Sequence, residues 1–200
     1  RIPQEIGRCQ TLVRLRCSHN LISQLPLELE LLTNLEDLSF NSNQVSILPL
    51  SLGNLAKLRN INYEGNPLKS PQQDVLSQGN DGVILYFHKM YNSALSHGLE
   101  MSNSHIRYFP AETLTIPKLH SLVLDDNEIE TLPAEVMVLS SLTFLSLQRN
   151  RLRSMPPESG ALPALCKLYL NGNCLSEIPL TLGICTSLQD IDLSGNEQAW

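Results

Sequence analysis

Seven asparagines recur along this chain at one interval. Asn20, Asn43 and Asn66 stand 23 residues apart, and after a gap Asn127, Asn150, Asn173 and Asn196 resume the same spacing. A period of this length means that one short supersecondary unit is copied along the chain. The copies must stack, because none can bury its own apolar face. The same pattern surrounds each asparagine: LVRLRCSHNLI, LEDLSFNSNQV and LRNINYEGNPL before the gap, then LHSLVLDDNEI, LTFLSLQRNRL, LCKLYLNGNCL and LQDIDLSGNEQ after it. The Leu-x-Leu alternation predicts a short strand with its leucines inward and the residue between them outward. Where the chain then turns inward, buried backbone groups need partners, and the asparagine amide can supply them. The pairs Leu25-Pro26 and Leu48-Pro49 open the return segments. The expected architecture is an α/β solenoid, a curved horseshoe with a parallel sheet on its concave face and an irregular or short-helical convex side.

The gap is informative. From Asn66 to Asn127 is 61 residues, two strides and 15 residues more. One repeat is hidden in LEMSNSHIRYFP, with Leu99 and Met101 as the inward pair and Ser104 at the asparagine position. A hydroxyl replaces fewer hydrogen bonds than an amide, and a buried backbone group left unpaired there would cost about 1–3 kcal/mol. The inserted residues fall within 67–95. SPQQDVLSQG reads as a short helix with Ser70 as N-cap, Pro71 at the first helical position and Gly79 as the stop. A second helix is expected from about Asp81 to Asn92, with Val83, Phe87 and Met90 on one face and Ile84 and Tyr91 beside them. Three segments follow: a first sub-array at 1–66, a cap-like helical insertion at 67–95 and a second sub-array at 96–200, in one continuous solenoid. The insertion reads as a joint, with partner docking as the alternative.

The unit LPxxIGxLxxLxxLxLxxNxL resembles the intracellular Ras-binding and scaffold class of leucine-rich-repeat proteins, similar to Ras-suppressor, Scribble-type and plant Ras-group members. GNPLKSPQQDVLSQGNDGVILYFHKM is similar to the cap that ends many such arrays, although further repeats follow it here. The resemblance implies protein partners, with small GTPases or phosphatase subunits as partner classes. Arg1 opens in mid-repeat and Gln198 stands where an inward leucine is due, so a longer parent chain is expected.

Composition narrows the function classes. A net charge of -6 supplies no clustered Lys and Arg for nucleic-acid phosphates or an anionic membrane. No run of about 18 apolar residues is present, so membrane insertion is not expected. The five cysteines have no CxxC spacing, and no Asn-x-Ser/Thr acceptor occurs. Both observations favour a cytoplasmic chain with reduced thiols. Cys17 takes an inward leucine's place and Cys9 and Cys185 share a return-segment position, so all three are expected to fill the core. Cys166 and Cys174 are less clearly inward.

No phosphate loop, GxGxxG, HExxH or GxSxG is present, and no catalytic residue, metal or cofactor is expected. His97 and His120 share a repeat position and are expected to be neighbours without further ligands. Asp125, Asp126, Asp190 and Asp192 are expected to be solvated carboxylates. The strand residues that face outward carry the remaining information. Val123, Phe144 and Tyr169 fall within a few strand spacings of about 4.8 Å and form an apolar patch on a polar surface. Aromatic side chains ringed by polar groups have the composition of a binding hot spot. The candidate protein-binding residues are therefore Val123, Phe144, Ser146 and Tyr169, with Gln148, Arg149, Lys167 and Asn171 around them. Arg14, Arg16 and His19 toward one end, against Glu64, Glu100, Asp125 and Asp126 in mid-array, would orient a partner.

The function expected is a non-catalytic protein–protein interaction scaffold that binds on the concave sheet. A recognition arm of a larger GTPase, kinase, phosphatase or cyclase is the alternative. An extracellular receptor ectodomain fits less well, because cysteine-clustered caps are missing.

Overall fold

In the computed structural model, which describes residues 1–196, the stride becomes a ladder of parallel strands. Residues Arg1–Asn92 form one unit and Ser93–Trp200 a second. The first unit holds β1 (Arg14–Arg16), β2 (Asp37–Ser39) and β3 (Asn60–Asn62) in the order β1-β2-β3. In the second, β4 (Gly98–Glu100), β5 (Ser121–Val123), β6 (Phe144–Ser146), β7 (Lys167–Tyr169) and β8 (Asp190–Asp192) are ordered β4-β5-β6-β7-β8. Every pairing is parallel and each residue faces its counterpart one stride on, as Leu145 faces Leu168. The expected α/β leucine-rich-repeat solenoid is thus the fold found. Gln198 lies outside the described residues.

Proline organises the return side. Pro3, Pro26, Pro49, Pro110, Pro133, Pro156 and Pro179 each stand immediately before a five-residue 3-10 helix, with φ between -63 and -73. The ring fixes that angle in advance and removes an N–H that the first turn could not satisfy. Between strand and 3-10 helix the core closes with Leu38, Leu122, Leu145 and Leu168, all fully buried.

The asparagines join one coil to the next. Asn150 donates from Nδ2 to the carbonyls of Leu147 and Gln148 in its own coil, and at 2.8 Å to Leu124 in the coil before. Its Oδ1 accepts the Ile129 amide at 3.0 Å. Asn43, Asn66, Asn127, Asn173 and Asn196 likewise bond within their own coil and to the carbonyl 26 residues back. Asn20, in the first coil, is exposed and bonds only to Cys17 and Ser18 carbonyls at 3.1 and 3.0 Å. The residue before each motif position is left-handed: His19, Ser42, Gly65, Asn103, Asp126, Arg149, Gly172 and Gly195 all have φ between 50 and 70. Ser104 leaves no deficit. Its hydroxyl donates to the Ser102 carbonyl at 3.3 Å, and Asn127 Nδ2 supplies the Met101 carbonyl at 2.9 Å.

The helices of the gap differ from the expected bounds. α1 spans Gln73–Leu76 with Gln72 at its N-cap, and α2 spans Gly79–Ser96. Ser70 is not a cap. It bridges Ile47 in parallel and accepts the Leu48 amide at 3.1 Å, which keeps the chain extended and delays the helix past Pro71. Gly79, with φ 74, is the first residue of α2 rather than the stop of α1. Val83, Tyr86, Phe87 and Met90 form the buried face of α2. In the first unit Asn80 Oδ1 accepts the Ile61 amide at 3.1 Å, and Tyr63 donates its hydroxyl to the Leu76 carbonyl at 2.9 Å. The segment therefore satisfies polar groups at the β3 edge, which would otherwise have no neighbouring strand.

Candidate functional site

The outer face of the second unit's sheet is built by register alone. Because side chains alternate between the two faces of a strand, Phe144 on β6 and Lys167 and Tyr169 on β7 point away from the inward Leu145 and Leu168. The Phe144 and Tyr169 rings meet edge to face, with centroids 5.4 Å apart and an interplanar angle of 77°. Such a pair is worth about 0.5–1.5 kcal/mol beyond burial and holds both rings in fixed positions. Both remain half-exposed. The Tyr169 hydroxyl donates to Asp190 Oδ2 on β8 at 2.7 Å, and this bond, more than burial or the neighbouring charges, pushes the phenol's pKa up.

A second set of side chains flanks the rings. Asp125, 8% exposed, accepts the Ser146 hydroxyl at 2.6 Å, the Gln148 amide N–H at 2.9 Å and Gln148 Nε2 at 3.1 Å. The expectation of a solvated Asp125 is therefore wrong, since the next coil brings three donors onto it. Ser146 is fully buried and touches no solvent, so it cannot contact a partner. Asp126 is bound by Arg149 through Nε at 2.5 Å and Nη2 at 2.6 Å. The Arg149 hydrogen bonds hold the Asp126 carboxyl below the ordinary carboxylate range.

Of the sequence-derived candidates, Phe144 and Tyr169 are in contact, and Val123 is half-buried in register with Ser146. Gln148 belongs to the Asp125 network and donates to the Ser146 hydroxyl at 3.0 Å. Lys167 is exposed, and no ion pair among the described residues includes it. Asn171 has a buried Oδ1 without a hydrogen-bond partner. Sequence reading missed the partnership of Asp126 with Arg149 and of Asp190 with Tyr169. The stride carried the signal for the first pair, since residues 126 and 149 hold one repeat position in adjacent coils.

The other polar groups are less organised. His97 and His120 rings lie edge to face at 5.7 Å, and among the described residues no three His, Cys, Asp or Glu side chains gather to hold a metal ion. Cys185 is buried and Cys17 half-buried, but Cys9 is exposed, against expectation. Cys9 lies in the first described coil, at the repeat position that Leu32 and Leu55 fill at 0% exposure one and two strides later. Cys166 is half-buried and Cys174 exposed. No helix of the described residues is long and apolar enough to cross a membrane.

Residues 140–197 match the sequence model of the family described as "Leucine rich repeat". No curated protein matches the chain. Among solved structures, it is similar to a leucine-rich-repeat protein of Leptospira interrogans at 28% identity, over 96% of this chain and 47% of that one, with a TM-score of 0.49. It is also similar to the plant peptide hormone receptor RGFR1 solved in complex with RGF2, at 26% identity over 96% of this chain and 26% of the receptor, with a TM-score of 0.42. The Arabidopsis thaliana receptor kinase ectodomain GASSHO1/SCHENGEN3, solved in complex with CASPARIAN STRIP INTEGRITY FACTOR 2, gives 26% identity over 96% of this chain and 25% of that one, with a TM-score of 0.41. The chain thus spans less than half the length of each of these proteins.

Proposed function

We propose that this chain is a non-catalytic protein-interaction scaffold whose partner docks on the outer sheet face over Phe144 and Tyr169. The fold is generally a protein–protein interaction module. The observation that carries the particular site is the edge-to-face aromatic pair, held half-exposed beside the Asp125–Ser146–Gln148 network. Rigid aromatic rings bounded by ordered polar groups are the surface on which a few residues dominate binding energy, because little conformational entropy is lost when they are covered. Ser146 drops out of the contact set, leaving Phe144 and Tyr169 as anchors, with Val123, Gln148, Arg149, Lys167 and Asn171 around them.

Within this reading the chain works in the cytoplasm. The five cysteines, none in a disulfide, and the lack of glycosylation acceptors support that placement. The repeat resemblance suggests a small GTPase or a phosphatase subunit as partner. The test is affinity capture from lysate with the wild-type chain beside a Phe144→Ala/Tyr169→Ala variant whose circular dichroism is unchanged. Loss of two anchors should weaken capture by about 30-fold or more. Equal capture by both chains removes the site.

A further inference from the structure

The charge around the aromatic pair is lopsided. Asp190 and Asp192 lie in register with Lys167 and Tyr169, so both flank the rings from β8. Asp190 is exposed and uses Oδ2 to accept the Tyr169 hydroxyl. Asp192 is half-exposed and uses Oδ1 to accept the Ser194 amide at 2.9 Å. Neither carboxylate belongs to an ion pair among the described residues. The positive groups on this face do not restore balance. Arg149 is committed to Asp126, which leaves Lys167 alone against the two carboxylates of β8.

A partner that covers Phe144 and Tyr169 must also strip water from these carboxylates. An acidic or purely apolar segment would bury them without compensation, which is costly. A cationic side chain instead meets the carboxylates with its head and the aromatic rings with its face, and both contacts strengthen as water leaves. We infer that the segment docking here presents an arginine or lysine that seats against Tyr169 between Asp190 and Asp192, with an apolar neighbour on Phe144. This names the partner chemistry of the surface proposed above and rests on that reading.

The experiment is selection of random peptides displayed on phage against the wild-type chain, followed by fluorescence-polarisation affinities of the enriched sequences. Those affinities are repeated on Asp190→Asn/Asp192→Asn and on Phe144→Ala, each with unchanged circular dichroism. The expected result is enrichment of sequences with Arg or Lys beside an apolar residue, bound about tenfold more weakly by the asparagine variant and weakened by added salt. Enriched peptides that lack basic residues, or that bind the asparagine variant equally while losing affinity for Phe144→Ala, overturn the basic-partner inference and leave the docking surface standing. Peptides indifferent to both variants, or no enrichment at all, overturn both.

Discussion

Arg149 grips Asp126 across adjacent coils, donating from Nε and Nη2 to the two carboxylate oxygens at 2.5 and 2.6 Å, and both residues sit in the left-handed turn before a motif asparagine. The pair makes stability depend on acid. Arg149 lowers the pKa of Asp126, and the Ser194 backbone amide lowers that of Asp192. A carboxyl whose folded value is depressed contributes in full above its unfolded value, about 4, and loses that contribution as pH falls through the lower folded value. The melting temperature should therefore fall as pH drops below about 4, and the fall should be shallower in Asp126→Asn. Parallel slopes for wild type and variant in thermal melts at stepped pH would show that the pair carries no such linkage.

The same turn allows a backbone test. Gly172 and Gly195 occupy the repeat position of Arg149, with φ of 70 and 67 against 50. A side chain in that region costs about 1 kcal/mol that glycine avoids. Replacing Arg149 by alanine loses the ion pair and keeps the strain, whereas replacing it by glycine loses the pair and relieves the strain. The glycine variant should exceed the alanine variant by about 1 kcal/mol in urea unfolding. An alanine variant as stable as the glycine one would mean that the coil relaxes around a side chain there.

The asparagines should differ sharply in worth along the chain. Removing the Asn150 amide orphans the Ile129 N–H, buried between coils, and leaves the Leu124 carbonyl with Asn127 Nδ2 as its donor. Asn150→Ala should cost about 2–3 kcal/mol, one unsatisfied buried N–H together with the lost bonds to three carbonyls. Asn20 bonds to the Cys17 and Ser18 carbonyls of its own coil and, among the described residues, to no other coil. Asn20→Ala should cost under about 1 kcal/mol. Chemical denaturation of the two variants checks the contrast, and equal losses would mean that the bond to the preceding coil adds nothing.

Much of the fold was legible because period-23 copying dictates register: once Asn150 aligns with Asn127, Phe144 must face Ser121 and Lys167 must face Phe144. The stride says which residues are neighbours, but not which neighbours exclude water. Asp125 looked solvated from its outward position, yet Gln148 and Ser146 from the next coil close over it. Cys9 looked buried from its repeat position, yet in the first described coil that position is open. Ser70-Pro71 reads locally as a helix start, and a longer-range bridge to Ile47 overrides it. The contact between Phe144 and Tyr169 was within reach of sequence reasoning as proximity, but its edge-to-face geometry and the Asp190 bond depend on rotamers that no repeat pattern specifies.

Gly53 tests how α2 is held. A Cβ at this position would come 2.1 Å from the Phe87 carbonyl oxygen and 2.4 Å from the Tyr91 Cβ, closer than atoms can stand. Its backbone angles are not left-handed, so the glycine is required by the approach of the helix and not by conformation. Gly53→Ala must push α2 away from the coil below it, taking Phe87 out of van der Waals contact. The expected loss is about 1–3 kcal/mol. Hydrogen exchange should show where it falls, with faster exchange in residues 83–92 and in the Ile61 amide that Asn80 accepts. A variant with unchanged stability and unchanged exchange over that segment would mean that α2 contributes nothing to closing the first unit. Faster exchange confined to α2, with β1–β3 still protected, would instead show the helix to be a separable cover on an otherwise stable coil stack.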